Sequence, residues 1–229
     1  MGLGDVHRDI VECARCERLR SYCAEVARVK RAAFRNDTYW ARPVPGFGDA
    51  RARLLVLGLA PAAHGANRTG RVFTGDGRGG SGDYLMTAMK RNGFANIPTC
   101  DSIDDGLTLT DAYIAAAVRC APPDNKPTLD EIHACRPHLH AELEHLPNVR
   151  VVVALGKIAF DMWWRVMEER GVVVKPRPSF AHGAVHRIAG APVVIGSYHP
   201  SRQNTNTGRL TAEMLSDVFR SAALLIPNP

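Results

Sequence analysis

The sequence predicts an α/β fold, a three-layer α/β/α arrangement around a central, mainly parallel four-stranded sheet. Four apolar runs have the length of buried strands, and they occupy residues 54–57, 112–118, 149–155 and 192–195. Segments of helical composition separate these runs. Strands that alternate with helices pair in parallel and place helices on both faces of the sheet. At 229 residues the chain is long enough for one sizeable core, so we expect a single domain over residues 1–229.

In the first third of the chain, the sequence predicts a helical segment and a connector before the first strand, and a helix after it. Residues 5–35 contain neither proline nor glycine and repeat apolar residues at helical spacing, so they predict a helical segment. Residues 36–53 are interrupted by proline and glycine and are typical of an extended connector. A helix is expected at about 81–91, with Ser81 or Asp83 near its N-cap.

The rest of the chain continues the alternation of strands and helices. A helix is predicted from Pro127, interrupted or kinked at Pro137, because proline removes a backbone donor and clashes with the preceding turn. Another helix follows the strand at 149–155. A short strand is predicted at 184–188 and a C-terminal helix at about 209–225.

Charge and hydropathy narrow the class of protein. The net charge is +6 and the isoelectric point is near 9.2, which is compatible with a polyanionic partner without requiring one. The sequence contains no apolar run of about 18 residues that would span a membrane. The N-terminal residues lack the apolar core of a secretion signal, so we expect a cytoplasmic protein.

Two polar loops follow buried strands and form the candidate site. The first spans residues 58–76, is rich in glycine, and carries Arg68 and Arg71, whose guanidinium groups suit phosphate oxygens. The second spans residues 196–211 and begins with a His-Pro-Ser sequence at His199. Because open α/β sheets bind ligands beyond the carboxyl ends of their strands, both loops could border one cleft. Composition alone leaves ordinary surface loops as an equal alternative for the first loop.

Four of the six cysteines have a spacing that is compatible with a metal centre. Cys13 and Cys16 form a C-x-x-C pair, and Cys120 and Cys135 are separated by fourteen residues on either side of a loop. Such a set fits structural zinc or an iron-sulfur cluster, and spacing does not separate the two. Buried free thiols are the alternative in a reducing compartment.

The two loops together resemble the uracil-DNA glycosylase superfamily, which carries a G-x-x-P motif and an H-P-S motif at strand ends. The longer stretches GLAPAAHGANRTGR, FTGD and HPSRQNTNTGRLT are similar to family 5, also called the B type. The resemblance implies a monofunctional DNA glycosylase that flips out and excises uracil and other deaminated bases, such as hypoxanthine. It also implies a 4Fe-4S cluster on Cys13, Cys16, Cys120 and Cys135, with a structural role. Cys23 and Cys100 fall outside this pattern, although Cys23 is a rival ligand.

The resemblance also suggests a role for each site residue. Many relatives have an Asp, Glu or Asn just after the leading glycine of the first motif, where this chain has Leu59 and Ala60. Asp76 of the FTGD sequence is therefore the expected catalytic carboxylate, and His199 the donor to the leaving base. The base pocket is expected to involve Gly58, Ala60, His64, Asn67, Phe73 and Asn125. Phosphate contacts are expected from Arg68, Arg71, Ser201, Arg202 and Asn204.

One alternative function belongs to another class. A metal-stabilised nucleic-acid-binding module would hold a flipped base in the same loops without turnover, and release of free uracil separates the two readings. Neither motif contains a lysine that could form a Schiff base with the sugar, which favours a monofunctional enzyme. A monomer would suit an enzyme that scans DNA.

Overall fold

The computed structural model describes residues 2–75, 77 and 79–226, and within them a mixed sheet forms the centre of the fold. Its strands lie in the order β1-β3-β2-β4-β6-β5. Their bounds are β1 Phe47–Gly48, β2 Leu54–Gly58, β3 Ala112–Ala116, β4 Val151–Leu155, β5 Val185–His186 and β6 Val193–Ser197.

The four long strands β3, β2, β4 and β6 pair in parallel, as the sequence predicts. Val56 lies opposite both Ile114 and Val153, and Val153 lies opposite Ile195, so the carboxyl ends of these strands reach the same edge of the sheet. The two-residue strands β1 and β5 add antiparallel edges. The β5 strand lies inside the predicted segment 184–188, whereas β1 lies in the predicted connector and is too short to leave a periodic pattern.

The described residues form eight α-helices. These are α1 Leu3–Val11, α2 Glu17–Val29, α3 Ala66–Thr69, α4 Ser81–Arg91, α5 Leu129–Glu144, α6 Lys157–Glu169, α7 Arg202–Asn206 and α8 Ala212–Leu225. Short 3-10 helices occur at Ala32–Phe34 and Pro123–Asn125. No helix in the described part of the chain is long and apolar enough to cross a bilayer.

The predicted N-terminal helix is wrong in one respect, because residues 5–35 form two helices. The α1 helix ends at Val11, and Cys16 is the N-cap of α2. Cys13 and Cys16 therefore lie in the connection between the helices rather than on one helical face. The composition of this segment is helical throughout, so the break has no glycine or proline to mark it.

The helix that carries Cys135 also differs from the prediction. It begins at Leu129, where the Thr128 side chain accepts from Glu131 N and the Glu131 carboxylate accepts from Thr128 N. This capping box fixes the first turn. The α5 helix then continues uninterrupted through Pro137.

The remaining helices are close to their predicted positions. The α4 helix covers 81–91, but its N-cap is Gly80, and the Asp83 carboxylate accepts from Gly79 N at 2.7 Å. The C-terminal helix begins at Ala212, capped by the Thr211 side chain. The short α7 helix lies within what the sequence predicts to be a loop.

The core has two halves, one on each face of the sheet, which confirms the three-layer α/β/α arrangement. Leu54 and Val56 point to the face covered by α4 and α8, and Leu55 and Leu57 point to the face covered by α5 and α6. This alternation follows from the two-residue period of a strand. Both faces are buried, which explains why the strands are uniformly apolar.

A buried ion pair joins β3 to α5 beneath the cysteines. The Glu142 carboxylate is 0% exposed and is paired with the guanidinium of Arg119, itself 1% exposed. Glu142 Oε1 also accepts from Gly46 N at 2.8 Å and from the Tyr113 hydroxyl at 2.9 Å. Burial and the neighbouring Glu142 carboxylate raise the pKa of Tyr113, and its hydroxyl is also 2.8 Å from His7 Nε2. The network thus connects α1, the connector, β3 and α5.

We expect Glu142→Gln to lower the free energy of unfolding by about 3–5 kcal/mol, because it leaves the buried charge of Arg119 without its counter-ion. Urea denaturation followed by circular dichroism measures this loss. The control is Glu144→Gln, an exposed position on the same helix, which should change stability by less than about 0.5 kcal/mol. Equal stability of the two variants would contradict a structural role for the pair.

Candidate active site

The two predicted loops meet above the carboxyl edge of the sheet. Phe73, in the loop after β2, stacks on His199, in the loop after β6, with ring centroids 5.9 Å apart and planes at 26°. The two strands are not neighbours, since β4 lies between them. The contact therefore places both loops at one cleft, as their sequence positions suggest.

Glycines allow the Phe73 ring and backbone to lie where they do. A Cβ at Gly58 would come within 2.7 Å of the Phe73 ring, and a Cβ at Gly82 would lie 2.3 Å from the Phe73 carbonyl oxygen. Phe73 itself has φ of 62°, in the left-handed region that non-glycine residues rarely adopt. Such a conformation costs about 1–3 kcal/mol and persists where surrounding structure imposes it.

His199 is held by its backbone and is neutral at physiological pH. Its carbonyl oxygen accepts from Ser201 N and from Asn204 Nδ2, both at 2.8 Å. Burial lowers the pKa of His199 to about 4. The neutral ring carries one N–H, so it can donate a hydrogen bond without bringing a positive charge into the cleft.

Gly156 is a site residue that the sequence reasoning missed. It directly follows β4, the strand between the two loops, as the N-cap of α6 with φ of 92°, and a Cβ there would lie 3.7 Å from the Cβ of His199. The floor of the cleft between the loops therefore carries no side chain at this position. The signal was available, since Gly156 directly follows the clearest strand in the sequence.

The predicted catalytic carboxylate, Asp76, lies outside the described residues. Its neighbour Gly75 is buried against the start of α4, where a Cβ would lie 3.3 Å from Gly82 N and 3.4 Å from Ser81 N. Gly75 thus lies beside the amino end of α4, an eleven-residue helix. Backbone N–H groups at a helix start favour a nearby negative charge.

The first loop is anchored to the N-terminal helices. Asn67 is 1% exposed, and its Nδ2 donates to Cys23 O and Ala63 O, both at 3.3 Å. Its Oδ1 is buried without a hydrogen-bond partner among the described residues. His64 Nδ1 lies 2.9 Å from the Tyr39 hydroxyl. These contacts fix the loop from behind, so Asn67 serves as an anchor as well as a candidate pocket residue.

Arg71 does not have the position expected of a phosphate ligand. Its side chain is 2% exposed and forms a bidentate pair with Asp105, while its guanidinium lies 5.3 Å from the centroid of the Phe47 ring. The Arg71 guanidinium is therefore committed to Asp105 in this structure, and a contact of Arg71 with DNA stays a prediction. Arg68 is also paired, with Asp37 at 2.8 Å, and it stacks 4.2 Å from the centroid of the Phe34 ring.

In the second loop, some residues stabilise the loop itself and others are exposed to solvent. The Ser201 hydroxyl accepts from Asn204 N and caps α7, and Asn204 supports the His199 backbone, so both are committed to the loop itself. Arg202, the first residue of α7, is exposed. Asn125 is also exposed, on the 3-10 turn that follows Cys120, with φ of 57°. Ala60 lies partly buried against the cysteine cluster.

The four predicted metal ligands line one cavity. Cys13 and Cys16 come from the connection between α1 and α2, Cys120 follows β3, and Cys135 lies on α5. The wall of the cavity also includes Arg15, Arg20 and Arg119. In the described residues no three His, Cys, Asp or Glu side chains are grouped so as to hold a single metal ion.

Burial acts on thiols both inside and outside the cavity, and it raises the pKa of Cys100 as well. Burial raises the pKa of Cys135 to about 12, and burial also raises the pKa of Cys16. Such thiols stay protonated at neutral pH unless a metal centre displaces the proton. Cys23 is fully buried behind the cavity, with its thiol 3.6 Å from Ala121 O, and Cys100 lies near Thr74, 3.7 Å away.

Comparison with known proteins agrees with this geometry. The model of the uracil DNA glycosylase superfamily matches residues 45–223. Among curated relatives, the type-5 uracil-DNA glycosylase of Mycobacterium tuberculosis is 50% identical over 214 residues, covering 93% of this chain and 78% of the relative. The type-5 enzyme of Mycobacterium leprae is 48% identical over 222 residues, covering 96% and 94%. That of Thermus thermophilus is 48% identical over 216 residues, covering 94% of each.

The matched segment contains both loops of the cleft, and the relatives cover nearly the whole chain. The resemblance drawn from the motifs is therefore confirmed. The enzyme class, a hydrolase of N-glycosyl bonds, is confirmed as well. The chain belongs to the uracil DNA glycosylase superfamily.

Proposed function

We propose that this chain is a monofunctional DNA glycosylase that removes uracil from DNA by hydrolysing the N-glycosidic bond and so initiates base excision repair. The observation that carries the proposal is the stack of Phe73 on a neutral His199 at the junction of the two motif loops. The relatives of this chain that are named type-5 uracil-DNA glycosylases support the choice of uracil.

Base recognition follows from the aromatic ring at the cleft. An enzyme that acts on a base must first take it out of the duplex, at a cost of a few kcal/mol. The Phe73 ring, placed over Gly58, supplies a flat apolar surface on which an extruded base can stack. In this proposal the base takes the place of the His199 ring on Phe73, and Asn125 contacts its polar edge.

The leaving base is stabilised by His199. Cleavage builds negative charge on the base and positive charge on the deoxyribose. A neutral imidazole N–H can donate to a base carbonyl oxygen, and its donation strengthens as that oxygen becomes anionic. The backbone of His199 is fixed by Ser201 and Asn204, so only its side chain has to rotate to make room for the base on Phe73.

Asp76 acts as the carboxylate that orients water and stabilises the sugar cation. Its sequence neighbour Gly75 lies at the start of α4, and Leu59 and Ala60 leave the first motif without an acidic or amide side chain after Gly58. The carboxylate of the FTGD sequence is therefore the candidate that the family resemblance supplies. Removal of a general base typically slows a reaction by about 10²–10⁴-fold.

The pocket is proposed to accept other deaminated bases, hypoxanthine among them. Apolar contacts distinguish two substrates that differ by one small group only by about 10- to 200-fold. The first loop presents mainly alanines around Pro61, and Gly156, which follows β4, has no side chain.

The exposed Arg202 is the best-placed cation for a DNA phosphate in the second loop. We also propose that the enzyme acts as a monomer.

We infer that the cysteine cavity holds a 4Fe-4S cluster. Cys13, Cys16, Cys120 and Cys135 surround a common space, and a cluster keeps its four thiolates farther apart than a single ion does, which fits the lack of a compact ion site among the described residues. Three arginines in the wall suit its negative charge. When bound, the cluster would supply a structural cross-link between the α1–α2 connection, the end of β3 and α5.

We expect Asp76→Ala to slow uracil release from a duplex by about 100-fold or more, because the water-orienting carboxylate is lost. Alkaline cleavage of the abasic product, in single-turnover experiments on uracil and hypoxanthine duplexes, measures the rate. The control is Asp104→Ala, an exposed carboxylate, which should react like wild type. Full activity of Asp76→Ala would exclude this carboxylate, and a metal-replete wild type that binds DNA but releases no base would favour a binding module.

We expect the rate of uracil release to fall on the acid side only well below pH 6.5. The pKa of His199 is lowered to about 4, so the neutral donor persists as pH falls through the range where an ordinary histidine is protonated. Single-turnover rates measured from about pH 8 to pH 4 test this. His199→Ala should be slow at every pH, whereas His133→Ala, an exposed position, should follow wild type. An apparent pKa near 6.5 that disappears in His199→Ala would contradict the buried, neutral state.

We expect Cys16→Ser to lose bound iron and Cys23→Ser to retain it, because Cys16 lines the cavity whereas Cys23 lies behind it. Iron and acid-labile sulfide per chain, measured after anaerobic purification, test the ligand set. Loss of iron from both variants would implicate Cys23. A folded, iron-free Cys16→Ser protein with full glycosylase activity would show that the metal site and base excision are independent.

A further inference from the structure

One arginine in the wall of the cysteine cavity has a buried donor without an acceptor. Arg20 lies on α2, one helical turn after Cys16, and its backbone N donates to Cys16 O at 2.9 Å. Its side chain lines the cavity with the four cysteines. Nη1 of Arg20 is buried and has no hydrogen-bond partner within the described residues. A buried N–H of a charged group that lacks an acceptor is strongly unfavourable.

The other two arginines of the cavity have acceptors. The guanidinium of Arg119 is bound to the Glu142 carboxylate, and its backbone N lies 3.2 Å from Cys135 Sγ. Arg15 Nη1 donates to Ala134 O at 3.3 Å. Arg119 also has one buried donor, Nε, without a partner in the described part of the chain, but its two Nη atoms are bound to the Glu142 carboxylate.

Sulfur is the acceptor that the surroundings of Arg20 offer. Cys16 and Cys23 are four residues before and three residues after it on α2, so all three lie along one face of the helix. The Arg20 side chain lines the same cavity as Cys16 and Cys120. The sulfur atoms that border this cavity are therefore the acceptors within reach of its unpaired donor.

We propose that Arg20 is a positioning residue for the metal centre, donating a hydrogen bond from its guanidinium to a sulfur atom of the cluster or of its Cys120 ligand. The inference rests on the cluster proposed above and adds a residue that holds it. Outer hydrogen bonds of this kind orient metal ligands and tune the centre. A thiolate-bound cluster gains negative charge on reduction, so a nearby cation stabilises the reduced form more than the oxidised form.

Two measurements test Arg20 independently of glycosylase activity. In Arg20→Leu, iron should pass to a chelator about 10-fold faster than from wild type, because the outer hydrogen bond is gone. The reduction potential of the cluster, measured by voltammetry on the purified protein, should become more negative because the neighbouring charge is gone. The matched control is Arg28→Leu, an exposed arginine on the same helix that pairs with Glu25, which should match wild type in both measurements.

Further variants keep the test decisive. Arg20→Lys retains the charge but not the planar fork, so its potential should stay near wild type while its iron loss is intermediate. If Arg20→Leu fails to fold by circular dichroism, Arg20→Lys against Arg28→Lys decides. Wild-type rates and potential in both Arg20 variants would overturn the role of Arg20 and leave the cluster standing. A wild-type protein without iron and sulfide would overturn both proposals.

Discussion

The buried pair of Arg119 and Glu142 is the interaction on which the arrangement of both sites depends. It fixes α5, which carries Cys135, against the segment that follows β3, which carries Cys120. The same carboxylate receives Gly46 N, so it also fixes the connector that leads into β2 and the first loop. A charge pair of this kind adds little net stability over an apolar contact, but it allows only one relative placement of its elements.

The base cleft and the cysteine cavity share a wall. Ala60 and Ala63 of the first loop pack on the cluster formed by Leu19, Cys23 and Cys120, and Asn67 donates to the backbone of Cys23. The loop that would approach an extruded base is therefore supported from behind by the segment that would hold metal. Coupling between the two sites would pass through these direct contacts.

The sequence predicts what depends on local pattern and misses what depends on partners far along the chain. The four parallel strands are legible because each is an uninterrupted apolar run, and the two loops because they follow such runs. The pairing of Arg71 with Asp105 could not be predicted because the two residues are 34 positions apart, and an arginine in a glycine-rich loop has the same local pattern whether it faces a phosphate or a carboxylate. The break between α1 and α2 was missed since neither proline nor glycine marks it. The roles of Asn67 and Asn204 as backbone anchors were likewise set by tertiary contacts.

The strand order has a consequence for the size of the cleft. The two motif loops leave β2 and β6, which are separated by β4, and Gly156 directly follows β4. Neighbouring strands are about 4.8 Å apart, so the two loops start about 9.6 Å from each other. That spacing is set by backbone hydrogen bonds and is the same whatever side chains the loops carry. Substitutions in the loops can thus change which flat ring is preferred, whereas the width available to any ring is fixed by the sheet itself.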